Sequence, residues 1–177
     1  MNRLSCMLLA TILAFPLGAI AASPYVGETS RSIKALSDDE VTDYLSGKGM
    51  GLAKAAELNG YPGPSHVLEL ADQLGLSAGQ REKTRAIFER MQTRARAIGE
   101  RLIEEERKLD RQFASKTISA ESLHQAVGSI ALLQSAAREI HLQAHLEQAR
   151  VLTESQFMSY WHMRGYGDEH GGHHGTH

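Results

Sequence analysis

Residues His141 to Gln156 read HLQAHLEQARVLTESQ, and the last five of them, LTESQ at 152–156, have a near copy, LSAGQ, at 76–80. In each copy a Ser or Thr is followed three residues later by Gln. This spacing is that of a capping box, in which the hydroxyl accepts a hydrogen bond from an early backbone N–H of a helix and the Gln bonds back to the cap residue. We therefore predict that one helix starts at Ser77 and another at Thr153.

The chain between these two starts has the periodicity of two long helices. Apolar residues recur at steps of three and four from Ser77 to Phe113, and again from Ser119 to roughly Arg150. The connection at 114–118 is so short that the second helix must run back along the first. The sequence thus predicts an all-α fold built on a long antiparallel helical hairpin.

Short helices are predicted on either side of the hairpin. A capping box at Ser37 predicts a helix over 38–45, and apolar patterns predict helices over 52–58 and, capped by Ser65, over 66–74. The last helix should run from Thr153 to the region of Gly165. Such a hairpin leaves one face uncovered, so we predict that two copies pair as a homodimer.

The two ends of the chain have their own composition. Leu4 to Ile20 is almost wholly apolar and is preceded by Arg3, which is typical of a cleaved secretory signal; the run is short for the alternative, a retained membrane anchor. We divide the chain into a signal peptide (1–22), a lead-in with short helices (23–64), the hairpin domain (65–165) and a Gly/His-rich tail (166–177) that we expect to be disordered. The single cysteine, Cys6, falls in the signal, so disulfides, thiol catalysis and Cys-based zinc sites are not expected.

Charge and motif content exclude several classes of function. The formal net charge of -2 argues against a nucleic-acid partner. The first long helix is locally basic, with ten basic and seven acidic residues from Ser77 to Phe113, for which a solvated face is favoured over a binding surface. No nucleophile motif, phosphate loop or carboxylate pair with a placed third group occurs in the sequence, so we expect a protein that is not an enzyme.

Histidines provide the only candidate chemistry. His141 and His145 are four residues apart on one helix face and could share a zinc, copper or nickel ion. Two ligands do not close a site, and the alternative is a pair of polar residues at the edge of the packed seam. A third ligand could come from the other copy or from one of three side chains, His66, Glu139 and His162. The tail offers a second metal-binding candidate, with a solubilising tail as the alternative, through His170, His173, His174 and His177.

Four methionines were weighed as soft copper ligands: Met50, Met91, Met158 and Met163. Methionine at helical spacing usually fills a core, and we interpret all four as core residues. No metal or other cofactor is therefore required by the sequence, although zinc, copper or nickel could bind at the histidines.

The two capping motifs, at opposite ends of the predicted hairpin and behind a signal peptide, resemble the LTXXQ family of periplasmic stress proteins. Its members include the chaperone-like Spy and CpxP proteins and, more distantly, the heavy-metal proteins ZraP and CnrX. The resemblance covers roughly residues 65–165, and Ser77 replaces the Thr of the family pattern without loss of capping ability. The motif residues that carry it are Leu76, Ser77, Gln80, Leu152, Thr153 and Gln156.

The resemblance implies a periplasmic, cradle-shaped dimer that binds unfolded or misfolded proteins without ATP during envelope stress. Its basic concave face would consist of Arg85, Arg90, Arg94, Arg96 and Arg101. A sensor kinase or an anti-sigma factor is a further partner that the family implies. The alternative is a periplasmic protein that binds zinc, copper or nickel as a sensor or in metal resistance. The ligands of the CnrX sensor do not carry over, because its His-x-x-x-Met step is not reproduced in register.

Overall fold

The computed structural model describes residues 23–166. The predicted signal peptide and all four tail histidines lie outside this range. The chain divides into two compact units, Met1–Ser30 and Arg31–His177. In the described part of the first, a short 3₁₀ helix spans Glu28–Ser30.

The described part of the second unit is all-α and contains six helices: α1 (Asp38–Ser46), α2 (Lys54–Glu57), α3 (Pro64–Glu69), α4 (Ala78–Ala114), α5 (Ala120–Gln148) and α6 (Glu154–Met163). No strand occurs between residues 23 and 166. Within the same range, no helix is both long enough and apolar enough to cross a membrane. The all-α prediction is therefore confirmed for this part of the chain.

Helices α4 and α5 are the longest elements, at 37 and 29 residues. Each begins at a serine whose hydroxyl accepts from the backbone N–H three residues on, Ser77 for α4 and Ser119 for α5. Such caps satisfy donors that the first turn of a helix leaves unpaired. Because both starts are encoded locally, the predicted positions of these two helices are confirmed to within about two residues.

The contacts between α4 and α5 follow a regular order. Thr84 bonds Gln148, Arg90 pairs with Glu147, and Arg94 bonds Gln143. Further along α4, Leu102 and Ile103 share a buried cluster with Leu133. Partner numbers on α5 thus fall as residue numbers on α4 rise.

Three buried clusters hold the helices together. The central one joins Ile87, Met91 and Ala95 of α4 to Ile140 and Ala144 of α5. In a second cluster, Leu102 and Ile103 of α4 and Leu133 of α5 pack with two residues that come before α1. These are Ile33 and Leu36. The third places Tyr160 of α6 on residues in and after α3, namely Val67, Ala71, Leu74 and Leu76.

Helix α1 packs against α4 at a glycine. A Cβ atom on Gly99 would overlap the carbonyl group of Tyr44, so only glycine permits this approach. Glycine in a helix interior is less favourable than alanine by roughly 1 kcal/mol. Its presence in the middle of α4 therefore reflects the close contact with α1.

The short helices differ from their predictions. Helix α2 covers only Lys54–Glu57 of the predicted 52–58, and α3 covers Pro64–Glu69 in place of 66–74. Capping by Ser65 was wrong: the N-cap is Gly63, Pro64 occupies the first turn, and the Ser65 hydroxyl donates to Glu69. Proline suits the first helical position because its fixed φ is already helical and its missing N–H is not needed there.

Candidate functional site

The two capping motifs meet in space. Gln80 donates from Nε2 to Oε1 of Gln156 at 2.7 Å, and Gln156 donates back to Oε1 of Gln80 at 3.1 Å. Each of these oxygens also accepts from the N–H of its own cap residue, Ser77 or Thr153, at 3.0 Å. Gln80 further donates to the carbonyl of Val151 at 2.9 Å. The motifs thus cap two helices and also join the start of α4 to the start of α6.

His141 is buried in the seam, with only 4% of its surface exposed. Burial lowers the pKa of His141, and the nearby His145 lowers it further. The neutral imidazole is therefore the form that the fold favours. Gly49, in the connection between α1 and α2, lies beside its ring. We predicted that His141 and His145 lie at the edge of the seam, but the structure buries both: the α1–α2 connection covers His141, and His145 is only 9% exposed.

His145 is held in one tautomer by the backbone. Its Nδ1 lies 2.7 Å from the carbonyl oxygen of Tyr61. A carbonyl only accepts hydrogen bonds, so Nδ1 carries a proton, and in the neutral ring Nε2 carries the lone pair. The carboxylate of Glu57 lies 3.6 Å from the same Nδ1. His145 is thus oriented by a carbonyl and a neighbouring carboxylate.

Glu57 is the centre of a buried polar network. Its Oε1 accepts hydrogen bonds from the hydroxyl groups of Tyr160 and, at 3.2 Å, Tyr166. Its Oε2 accepts from the backbone N–H of Gly63 at 3.0 Å, and Arg164 Nε lies 3.6 Å from Oε1. Burial raises the pKa of Tyr160, and the hydrogen bond to Glu57 raises it further, so this hydroxyl keeps its proton and acts as a donor. The network ties α2 to α6 and to the turn before α3.

A cavity of about 430 Å³ opens beside this network. It lies where the α1–α2 connection, α2, α3 and α5 approach one another, and Tyr166 closes one side. The side chains that line it are those of Met50, Ala53, Lys54, Glu57, Leu58, His66, His145 and Tyr166. It therefore combines two imidazoles, a thioether and a carboxylate.

Of the three side chains predicted as a third metal ligand, only one lies near His145. His66 lines the same cavity as His145, whereas Glu139 accepts a hydrogen bond from Gln143 on the exposed side of α5. His162 is exposed on α6. Within residues 23–166, no three His, Cys, Asp or Glu side chains are grouped closely enough to hold one ion. A further ligand would have to be of another type or come from elsewhere.

The methionines follow the core prediction only in part. Met91 is buried between α4 and α5, as predicted. Met50, Met158 and Met163 are 36–59% exposed, so the core interpretation was wrong for these three. Of the three, Met50 lines the cavity beside His145.

The five arginines proposed as a basic face are all exposed, but they lie on two sides of α4. Arg90 pairs with Glu147, and Arg94 with Gln143, on the side of α5. Arg96 donates to the carbonyl of Ser46 on the side of α1. At 100° per residue, Arg101 falls with the α5-side group and Arg85 with Arg96.

Sequence reasoning missed Glu57. It lies among apolar residues in LAKAAEL at 52–58, and its main partners, Tyr160 and Tyr166, are more than a hundred positions away. No local spacing pattern connects such residues. A charged residue on the apolar side of a short helix was the one available signal.

Comparisons with known proteins give no relative for this chain: no family model, no curated protein and no solved structure matches it.

Proposed function

We propose that this chain is a periplasmic envelope-stress protein that binds unfolded polypeptides without ATP. Two independent features support the proposal. The first is the pair of capping motifs, which resemble the LTXXQ family and whose glutamines bond each other at the base of α4 and α6. The second, which carries most of the argument, is an apolar surface left open on α4 and α5.

That surface lies near the connection between the two long helices. Phe113 on α4 continues the apolar stripe of Met91 and Leu102, yet it is 54% exposed. On α5, Leu123 and Val127 continue the stripe of Ile130 and are also exposed. We call these three exposed residues, Phe113, Leu123 and Val127, the open seam. Residues in and before α1 cover the stripe at Leu102, Ile103 and Leu133. The open seam therefore has the character of a core face that lacks its cover.

One lysine, Lys116, is exposed three residues after Phe113. Arg111, two residues before Phe113, lies on the opposite side of α4 and pairs with Glu104 there. An unfolded chain offers apolar side chains together with carboxylates, which a surface of this mixed kind can hold. Binding through many weak contacts requires no pocket and no nucleotide.

A long antiparallel hairpin and its pairing into a homodimer belong to this proposal. The order of contacts between α4 and α5 supports the hairpin. The open seam supports pairing, since a second copy is one way to cover it in the absence of a client. Sedimentation at micromolar concentration should give the mass of a dimer, and a monomer would count against this part.

Suppression of aggregation tests the proposed activity. The protein, at near-stoichiometric amounts and without ATP, should keep a chemically unfolded client in solution. Val127→Ser should weaken this effect, whereas Leu146→Ser, at a residue of matching exposure (49% against 50%), should not. No suppression by the parent protein at excess would refute the proposal.

A second candidate function is metal binding, as a periplasmic buffer, sensor or resistance protein for zinc, copper or nickel. The observation in its favour is the hydrogen bond from His145 Nδ1 to the carbonyl of Tyr61, which leaves Nε2 free to coordinate. Calorimetry on the parent and on a double His141→Ala, His145→Ala variant tests it. Absence of binding tighter than about 100 μM in the parent would remove this candidate.

A further inference from the structure

The cavity beside His145 brings together three side chains that bind copper. Met50 comes from the α1–α2 connection, His66 from α3 and His145 from α5, and all three line the same space. A thioether suits the soft ion Cu(I), and imidazole suits copper in general. Hard cations such as magnesium and calcium prefer oxygen ligands, so this set favours copper over them.

Both imidazoles present the nitrogen that a metal needs. The Nδ1–H of His145 donates to the carbonyl of Tyr61 at 2.7 Å. The Nδ1 of His66 lies 3.2 Å from the carboxylate of Glu69, which likewise only accepts. In the neutral form of each ring, Nε2 therefore carries the lone pair. Metal-binding histidines are commonly oriented in this way, by a carbonyl or a carboxylate on the other nitrogen.

Gly63 lies close against the ring of His145. A Cβ atom on Gly63 would lie 3.1 Å from Nε2, a distance that few real contacts reach. A larger residue at position 63 would therefore crowd this nitrogen. The φ of Gly63, -80°, is ordinary for any residue, so the turn itself does not require glycine.

Met50 is held at the cavity by an unusual backbone. Its φ is 45°, in the left-handed region that residues other than glycine rarely adopt, and Gly51 follows with φ 77°. Such a conformation costs on the order of 1–2 kcal/mol and persists where the surroundings hold it, often at functional sites. The Met50 side chain is also 36% exposed, so core packing does not explain its position.

Charges around the cavity suit a singly charged cation. Glu57 brings one negative charge to the lining, and Lys54, an exposed residue, brings one positive charge. The nearby Arg164 lies 3.6 Å from Glu57. A monovalent ion requires less compensating charge than a divalent ion, which again favours Cu(I) over zinc or nickel.

We propose that this cavity is a Cu(I) site whose ligands are the Met50 thioether and the Nε2 atoms of His66 and His145. The proposal deepens the second candidate function and rests on it. It replaces the pair of His141 and His145 with a set drawn from three different elements. His141 is not part of the site, because it does not line the cavity.

Competition for Cu(I) under anaerobic conditions, with bicinchoninate as the competing chelator, tests the site in the full-length protein. Met50→Leu keeps the volume but removes the sulfur, and His66→Ala changes a partly exposed side chain. Each should weaken Cu(I) binding at least about tenfold. Matched controls are Met158→Leu and His124→Ala, both at exposed positions outside the cavity, which should leave the affinity unchanged. Met50→Leu should also leave Zn(II) binding unchanged, because zinc does not select for a thioether.

X-ray absorption of the copper-loaded parent should show a sulfur neighbour that Met50→Leu lacks, and circular dichroism should show that the variants remain folded. Cu(I) binding that is equally tight in the parent, Met50→Leu and His66→Ala would overturn the cavity site. In that case the metal-binding candidate would survive, with copper bound elsewhere on the chain. No Cu(I), Zn(II) or Ni(II) binding by the parent would overturn both.

Discussion

Gln80 and Gln156, which are 76 positions apart, donate hydrogen bonds to each other through their side-chain amides. Each glutamine also completes the capping box of its own helix, on Ser77 or Thr153. Each glutamine side chain therefore has a local role, which can be predicted from the sequence, and a long-range role, which cannot. The arrangement links the stability of α4 to that of α6.

Replacement of either glutamine by alanine should remove one cap contact and both hydrogen bonds between the two glutamines. We expect Gln80→Ala and Gln156→Ala each to lower the free energy of unfolding by about 1–2 kcal/mol. The double variant should lose less than the sum, because the shared bonds are already absent in each single variant. Urea denaturation gives the free energy of unfolding of the two single variants and the double variant. Gln125→Ala, at an exposed glutamine of α5 that bonds only Glu121, is the control and should have little effect; strict additivity would argue against the link.

Gly99→Ala should destabilise the packing of α1 on α4. The added methyl group would meet the Tyr44 backbone, which cannot move aside as a flexible side chain would, and we expect a loss of about 1–3 kcal/mol. Gly128→Ala is the matched control, since Gly128 also lies within a long helix but has open space around its Cβ position. That change should stabilise the protein by up to roughly 1 kcal/mol. Thermal unfolding of the two variants compares them directly, and a stabilising Gly99→Ala would contradict the close contact.

Burial of His141 should make stability depend on pH. Its pKa is lowered in the folded state by burial and by His145, from an ordinary value of 6.5. As pH falls below 6.5, the unfolded chain takes up a proton that the folded protein resists, so the free energy of unfolding decreases. Above 6.5 the group is neutral in both states and its contribution is constant.

The test compares the free energy of unfolding, measured by denaturation, at about pH 7.5 and at about pH 5. His141→Gln should lose less stability over this interval than the parent, and His124→Gln, at an exposed position on α5, should behave as the parent does. Carboxylates titrate alike in all three proteins and cancel in the comparison. Equal losses in the parent and His141→Gln would show that burial of this ring does not control the pH response.

Tyr160→Phe should weaken the network around Glu57. The buried carboxylate would lose one donor while remaining out of water, which typically costs about 1–3 kcal/mol. Tyr166→Phe should cost less, because its bond to Glu57 is longer, at 3.2 Å, and its ring is less buried. Urea denaturation of the two variants gives the order. An equal or reversed order would contradict the larger contribution of the Tyr160 hydroxyl.

Local signals in the sequence predicted the long elements well and the short ones poorly. Capping boxes at Ser37, Ser77 and Thr153 fix helix starts through contacts within four residues, so α1, α4 and α6 begin where predicted. Helices α2 and α3 end before turns around Gly60 and Leu70, and they pack on α5 and α4 respectively. Periodicity alone extended both too far.

The candidate site was predictable only in part. His145 was identified from its spacing to His141, and that spacing suggested a shared ion. In the structure His145 lines a cavity together with His66 and Met50, whereas His141 does not. These partners come from three elements that are distant in sequence. Met50 was missed as a cavity residue because its position depends on a left-handed backbone conformation. A methionine in the sequence does not predict that conformation.

The central claim, that the open seam binds unfolded chains, is tested most directly by site-specific photo-crosslinking. A photoreactive amino acid replaces Val127 in one protein and Leu146, of matching exposure, in another. After illumination with an unfolded client in the absence of ATP, we predict a strong crosslink from position 127 and little from position 146. Equal crosslinking at both positions, or a crosslink from 146 alone, would contradict the claim.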